Sequence, residues 1–94
     1  MLKKTIQNHL RNILRLSKSH KSELYIVGGT LRDLILDRQC SDFDFAVRGA
    51  SILATQYAHD TKSTLVPLDI TPRRETFRVV IKKNVHFDFS ELQG

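Results

Sequence analysis

The sequence predicts an α+β fold in which helices pack against a mixed sheet of about five strands. Residues 2–18 carry apolar side chains at the spacing of one helical face, with Lys, Gln, Asn and Arg on the other side. Short apolar runs separated by turn residues recur after this helix. The last two runs, 76–81 and 85–89, lie close enough to form a hairpin across Lys83-Asn84. A chain of 94 residues forms one small domain with a thin stability margin.

The elements are predicted in the order α-β-α-β-α-β-β-β. After the first helix they are strand 23–27, helix 31–36, strand 41–47, helix 52–58, and strands 65–68, 76–81 and 85–89. We expect Ser51 to cap the third helix through its hydroxyl group. Pro67 cannot donate a backbone hydrogen bond, so it indicates an edge strand or a strand end. His9 and His20 have no acid or cysteine at ligand spacing, and we expect both on the surface.

Composition restricts the setting of the chain. Cys40 is the single cysteine, so no internal disulfide can form, which fits a reducing cytoplasm. No apolar run approaches the roughly 20 residues that a membrane-spanning helix needs. Residues 1–21 contain no signal-peptide core. We therefore predict a cytoplasmic protein without a membrane partner.

The net charge of +5 is unevenly distributed. Residues 1–21 contain six lysines and arginines and no acid, whereas the remainder has a charge of −1. Such a segment attracts a phosphate backbone. It is equally the pattern of the solvated face of a docked helix, which is the commoner case. An interfacial membrane helix fits less well, because the segment has no aromatic residue.

Residues 25–47 contain the strongest local pattern. A β-branched run leads into Gly28-Gly29, where the backbone can take positive φ and come close to a ligand. In Asp42-Phe43-Asp44-Phe45 the acids alternate strictly with phenylalanines, so a strand places both acids on one face and both rings on the other. Two strand rises separate the acids by about 6–7 Å at Cα. Both carboxylates can therefore serve one magnesium cluster.

This pattern resembles the head-domain signature of the class II tRNA CCA-adding enzymes and bacterial poly(A) polymerases. The resemblance rests on Gly28-Gly29, on Arg32-Asp33, and on the Asp42-Phe43-Asp44 strand that begins nine residues after Asp33. It implies a polymerase-β-like nucleotidyltransferase palm, with ATP or CTP as donor and the 3′ end of tRNA or another RNA as acceptor. A lone D-x-D is common to many proteins, but the joint spacing is much more specific.

The resemblance also implies a cofactor and a set of catalytic residues. Two Mg²⁺ ions are expected, with Asp42 and Asp44 as ligands, because hard cations prefer carboxylate oxygen. Asp88 is the candidate third carboxylate, since Phe87-Asp88-Phe89 repeats the alternation and turns the acid away from the core. Its expected role is to hold the metal near the primer hydroxyl and to accept or orient the hydroxyl proton.

Further residues are assigned by the same resemblance. Gly28 and Gly29 are expected to present backbone N–H groups to the triphosphate at a helix start, and Arg32 to contact the phosphates. Asp33 is expected to brace the turn. His86 lies on the Asp88 side of its strand as a neighbour of the site. Arg73 and Arg74 are weaker candidates for contact with RNA.

In the family, this region is followed by an Arg-Arg-Asp-Phe-Thr motif that helps to bind the ribose. Helical neck, body and tail regions come after that motif. We expect residues 1–94 to be an incomplete head domain with weak nucleotide binding and little turnover, since positioning supplies much of catalysis. Two alternatives stay open. One is a minimal nucleotidyltransferase that works with a separate helical partner. The other is a non-enzymatic nucleotide- or RNA-binding remnant.

Overall fold

The computed structural model describes residues 4–27, 42–82 and 85–92. These residues form two helices and five strands: α1 (Lys4–Ser19), β1 (Leu24–Ile26), β2 (Asp42–Val47), α2 (Ala50–Thr61), β3 (Thr64–Asp69), β4 (Thr76–Lys82) and β5 (Val85–Glu91). The order agrees with the prediction. The predicted helix 31–36 and the glycine pair before it lie outside the described residues. No helix in the described ranges is long and apolar enough to cross a membrane.

The five strands form one mixed sheet in the order β1-β2-β5-β4-β3. β2 and β5 run parallel, and the other three neighbouring pairs are antiparallel. The predicted hairpin of β4 and β5 is confirmed. β3 forms one edge of the sheet, as Pro67 predicted, and its register shifts between Pro67 and Asp69. The sheet therefore places β2 and β5, which are distant in sequence, side by side.

One face of the sheet is aromatic. The parallel register sets Phe43 opposite Phe87 and Phe45 opposite Phe89, and all four side chains are at most 2% exposed. The rings stack in these pairs, with centroid distances of 5.1 and 5.3 Å. A fully buried phenylalanine contributes about 1.5–3 kcal/mol. The strict alternation along β2 and β5 consequently turns every intervening residue to the opposite face.

Both helices cover the aromatic face. Ile6 and Ile13 of α1 are buried in the core, as the helical spacing predicted. His9 lies between them on the same side of α1, its ring 5.5 Å from that of Phe87, and it is hydrogen-bonded to the hydroxyl of Tyr57 on α2. His9 is therefore only partly exposed, less than the predicted surface position implies. The reason is that spacings of three and four residues from the two isoleucines place His9 at the margin of the apolar stripe.

The start of α2 also differs from the prediction. The helix begins at Ala50, and Gly49 before it has φ of 76° and no side-chain cap. Ser51 lies inside the first turn and is not the cap. The carboxylate of Glu91 accepts hydrogen bonds from the N–H groups of Gly49 and Ala50 at 3.0–3.2 Å. Glycine allows the left-handed turn, and a residue from the far end of the chain serves the free N–H groups.

Candidate active site

The sheet face opposite the phenylalanines carries the charged residues. β2 places Asp42 opposite His86 of β5, and Asp44 opposite Asp88. β4 adds Arg78, which is opposite Asp88 on the other side of β5. Neighbouring strands lie about 4.8 Å apart, so Asp44, Asp88 and Arg78 form one short row across three strands. The prediction that the three acids share the face away from the core is confirmed by this register, whereas their catalytic roles stay predictions.

Arg78 and Asp88 form a two-armed ion pair. Nε of Arg78 donates to Oδ1 of Asp88 at 2.9 Å, and the second arm donates to Oδ2 at 3.1 Å. The Asp88 side chain is 13% exposed, whereas that of Arg78 is 36% exposed. Paired donors match the planar carboxylate and fix its orientation. Sequence reasoning missed Arg78, although its position between Phe77 and Val79 indicated a charge on the polar face.

His86 contacts the other end of the acidic row. Its Nε2 lies 3.2 Å from Oδ1 of Asp42, and the Asp42 side chain is 67% exposed. The prediction that His86 faces the Asp88 side of the sheet is confirmed, and its contact is with Asp42. The outer acid of β2 is thus well solvated, while the inner acids are enclosed by their neighbours.

Asp44 occupies the most unfavourable electrostatic position in the row. Burial raises the pKa of its carboxyl group above the usual value, and the charges of Asp88 and Asp42 raise it further. His86 and Arg78 lower the pKa of the same group and only partly offset the rise. The pKa of Arg78 is raised, first by its hydrogen bond to Asp88. Negative charge is therefore concentrated at Asp44, where a cation would relieve it.

The predicted triphosphate residues Gly28, Gly29 and Arg32 lie outside the described residues, as does Asp33. Val27 is the last described residue before the glycine pair. Its N–H donates to the carbonyl oxygen of Asp44 at 3.0 Å, which extends the β1–β2 pairing as far as the acid.

Arg73 and Arg74 lie in the turn between β3 and β4. Arg73 has φ of 71°, and the N–H of Arg74 donates to the carbonyl of Thr71 at 2.9 Å. The Arg74 side chain is 4.0 Å from Asp69. Their contact with RNA stays a prediction.

Comparison with protein families gives a match to the poly A polymerase head domain over residues 24–93. The chain belongs to this family. A curated relative, the CC-adding tRNA nucleotidyltransferase of Thermus thermophilus, is 33% identical over 72 residues, which cover 77% of this chain and 16% of that protein. This head domain therefore spans about a sixth of the length of that relative.

Solved structures agree with this assignment. A tRNA-processing enzyme in an apo form superposes with a TM-score of 0.80 at 27% identity, covering 97% of this chain and 24% of that one. A tRNA nucleotidyltransferase bound to a primer tRNA and an incoming ATP analogue gives a TM-score of 0.73 at 27% identity, with coverages of 86% and 23%. The family resemblance and the nucleotidyltransferase fold predicted from the sequence are confirmed.

The carboxylates of this head domain suit a magnesium ion in chemistry, but they do not converge. Within residues 4–27, 42–82 and 85–92, no three His, Cys, Asp or Glu side chains are grouped closely enough to hold a metal ion. Two of the acids have other partners: Asp42 contacts His86, and Asp88 is paired with Arg78. The donor set is nevertheless the hard oxygen that Mg²⁺ prefers, and burial and the charges of Asp88 and Asp42 raise the pKa of Asp44. The carboxylate oxygens of Asp42 and Asp44 fit the ion in chemistry, and their role as its ligands stays a prediction.

Proposed function

We propose that this head domain supports metal-dependent nucleotidyl transfer from ATP or CTP to the 3′ end of RNA, either as CCA addition to tRNA or as polyadenylation. The observation that carries the proposal is the row of Asp42, Asp44 and Asp88 on the polar face of a sheet with this fold. The relative from Thermus thermophilus is a CC-adding tRNA nucleotidyltransferase. One solved neighbour is a tRNA nucleotidyltransferase complexed with primer tRNA and an ATP analogue. Both support the same reaction class.

In the proposed reaction, the 3′-hydroxyl oxygen of the RNA forms a bond to the α-phosphorus of the nucleotide, and the bond to pyrophosphate breaks. Two Mg²⁺ ions, when bound, neutralise phosphate charge and make the hydroxyl more acidic. Asp42 and Asp44 hold their oxygens on the face where these ions would bind. Gly28 and Gly29 are proposed to offer N–H donors to the triphosphate, and Arg32 to bind its phosphates.

The role of Asp88 in this proposal depends on its ion pair with Arg78. Both of its oxygens accept hydrogen bonds from Arg78, so it is oriented toward β4. Each carboxylate oxygen keeps a second lone pair while the fork is closed, and Asp88 serves as a third ligand or accepts the hydroxyl proton through that lone pair if it faces the acidic row. Arg78 is then a positioning residue, since it acts through Asp88.

The same ion pair favours a second candidate function, which is nucleotide or RNA binding without turnover. If the fork keeps the free lone pairs of Asp88 turned away from Asp42 and Asp44 when nucleotide binds, the face supplies two metal-binding carboxylates and lacks the third. Binding would then need Asp42 and Asp44, while transfer would not occur. A transfer assay separates the two functions, because both predict magnesium-dependent nucleotide binding.

The first experiment is a titration of the 94-residue chain with ATP and with CTP, with and without Mg²⁺. The test variant is Asp42→Ala/Asp44→Ala, and the control is Glu23→Ala/Asp60→Ala, which removes two acids outside the row. We expect binding that needs Mg²⁺ and is lost in the test variant alone. Binding that persists in the test variant, or its absence from the folded wild-type chain, would contradict the proposed site. Addition of labelled nucleotide to an RNA 3′ end then distinguishes catalysis from binding.

A further inference from the structure

The outer side of α1 carries an ordered row of cations. Lys4, Arg11, Arg15 and Lys18, here called the basic stripe, follow one another at intervals of seven, four and three residues, and all four are exposed. At 3.6 residues per turn these intervals place them within an arc of about 60°. The row extends along the helix for roughly 21 Å at 1.5 Å per residue. The segment's positive charge is therefore aligned along one line of the surface.

The rest of α1 leaves the basic stripe free for a partner. The helix contains no acid. Within the described ranges, no residue of the stripe has an ion pair with an acid. Asp60 of α2 lies across a groove of about 390 Å³ that Arg15 also lines, but it accepts a hydrogen bond from Gln56 and lies 3.7 Å from His59. Both contacts are with Oδ1 of Asp60, and Asp60 forms no ion pair with Arg15 among the described residues.

A membrane is a poor partner for this surface. The apolar side of α1, centred on Ile6 and Ile13, is buried in the core about 150° around the helix from the basic stripe. An interfacial helix would need that side to enter the lipid. Most side chains that flank the stripe are polar, among them Gln7, Asn8 and Asn12, and Leu14 is a single exposed apolar residue beside it. A hydrated polyanion matches a row of cations with polar flanks.

We propose that the basic stripe binds the phosphate backbone of the RNA substrate at a distance from its 3′ end. The inference rests on the proposed function, which supplies RNA as the partner. α1 covers the aromatic face of the sheet, so the stripe and the acidic row lie on opposite sides of a domain measuring 35 × 29 × 24 Å. An RNA whose end enters the acidic face reaches the stripe only with a remote segment. The stripe consequently contributes affinity and leaves the reacting end untouched.

The test is anisotropy of a fluorescein-labelled single-stranded RNA with Arg11→Gln/Arg15→Gln. Each single-strand phosphate contact contributes about 0.7 to the slope of log K against log salt. Loss of two contacts should lower the slope by about 1.4 and weaken binding roughly tenfold at 0.15 M salt. The control Lys62→Gln/Lys82→Gln removes the same charge outside α1 and should bind nearly as the wild type. Arg11→Lys/Arg15→Lys should restore most of the affinity, because a phosphate accepts a point charge.

Equal losses in the test and control variants would overturn the proposal, since net charge alone would then explain the binding. Polyglutamate or phosphatidylserine vesicles that compete as well as RNA at equal charge would overturn RNA as the partner. Magnesium-dependent ATP binding is measured on the same proteins. If the stripe variant keeps its magnesium-dependent ATP binding while its RNA binding is weaker, the proposal is supported. If the stripe variant loses ATP binding as well, the effect of the substitutions is not confined to the stripe, and the proposal is contradicted. The absence of ATP binding from the wild type refutes the proposed function on separate grounds.

Discussion

Asparagine at each of the two facing aspartates should change stability in opposite directions. Asp44→Asn removes a carboxylate whose pKa is raised by burial and then by the charges of Asp88 and Asp42. Asp88→Asn removes the charge that accepts both arms of the Arg78 fork. The two positions are register partners on β2 and β5. The same chemical change is thus made twice on one surface, and only the electrostatic neighbours differ.

The size of each effect follows from its neighbours. A hydrogen bond to a charged group contributes about 1.5–3 kcal/mol. Arg78 is 36% exposed, so water partly replaces its lost partner and the cost of Asp88→Asn falls to about 1–2 kcal/mol. In a domain of this size, that lowers Tm by roughly 5–15 °C. Asp44→Asn relieves repulsion and desolvation, and we expect a gain on the order of 0.5–1 kcal/mol, or roughly 2–8 °C.

The gain at Asp44 has a defined pH dependence. The folded-state pKa of Asp44 is raised, so the folded chain holds the proton more tightly than the unfolded chain. Wild-type stability from this group falls as pH rises from the ordinary aspartate value of 3.8 through the folded pKa. The advantage of Asp44→Asn should be complete at pH 7 and absent below pH 3.8. Thermal unfolding at both pH values, with a chelator present, measures it.

Added Mg²⁺ provides the decisive comparison. An ion that binds only the folded state should raise the Tm of the wild type and leave that of Asp44→Asn nearly unchanged. The difference in Tm between Asp44→Asn and the wild type should then become smaller or change sign. If Asp44→Asn loses as much stability as Asp88→Asn without metal, the electrostatic reading of the row is wrong. If Mg²⁺ raises the Tm of Asp44→Asn as much as that of the wild type, Asp44 is not a metal ligand.

Three further outcomes are expected. Glu91→Ala removes the acceptor for the N–H groups of Gly49 and its neighbour, so urea unfolding should show a loss of about 1 kcal/mol, while Glu91→Gln should lose less. Burial, followed by the charge of Lys82, lowers the pKa of His9, so stability should decline as pH falls below 6.5, and His9→Gln should flatten that slope in melts from pH 7 to pH 5. Phe87→Leu should cost about 1–3 kcal/mol in urea unfolding, because the ring contacts both Phe43 and Tyr57, and an unchanged midpoint would contradict the assigned core.

The parts of the fold that were predicted correctly depend on patterns that lie within a single segment of the chain. Acid and phenylalanine alternate at 42–45 and again at 87–89. This alternation assigns the two faces without knowledge of the neighbouring strand, because the period of two is a property of the strand itself. The same holds for the buried side of α1, which depends on spacings of three and four residues. The alternation therefore located the face of the candidate site before any strand order was known.

The contacts that sequence reasoning missed join segments that are far apart in the chain. Nothing around Gly49 indicates that Glu91 accepts its hydrogen bond, and Ser51 was the better local candidate for the cap. The Arg78–Asp88 fork depends on the register of the β4–β5 hairpin, which a shift of one residue would abolish. His9 is partly buried because Tyr57 and Phe87 lie beside it, and both come from other elements.

The parallel pairing of β2 with β5 has a consequence for how the protein matures. Asp44 and Asp88 are 44 positions apart, and α2, β3 and β4 all lie between their strands in the chain. A chain emerging from the ribosome cannot join them until β5 has been synthesised, and closing so long a loop delays the pairing. The charged face is thus completed only after the other strands of this sheet have been synthesised. We therefore expect a ligand that bridges β2 and β5 to bind only the completed sheet and to slow its unfolding.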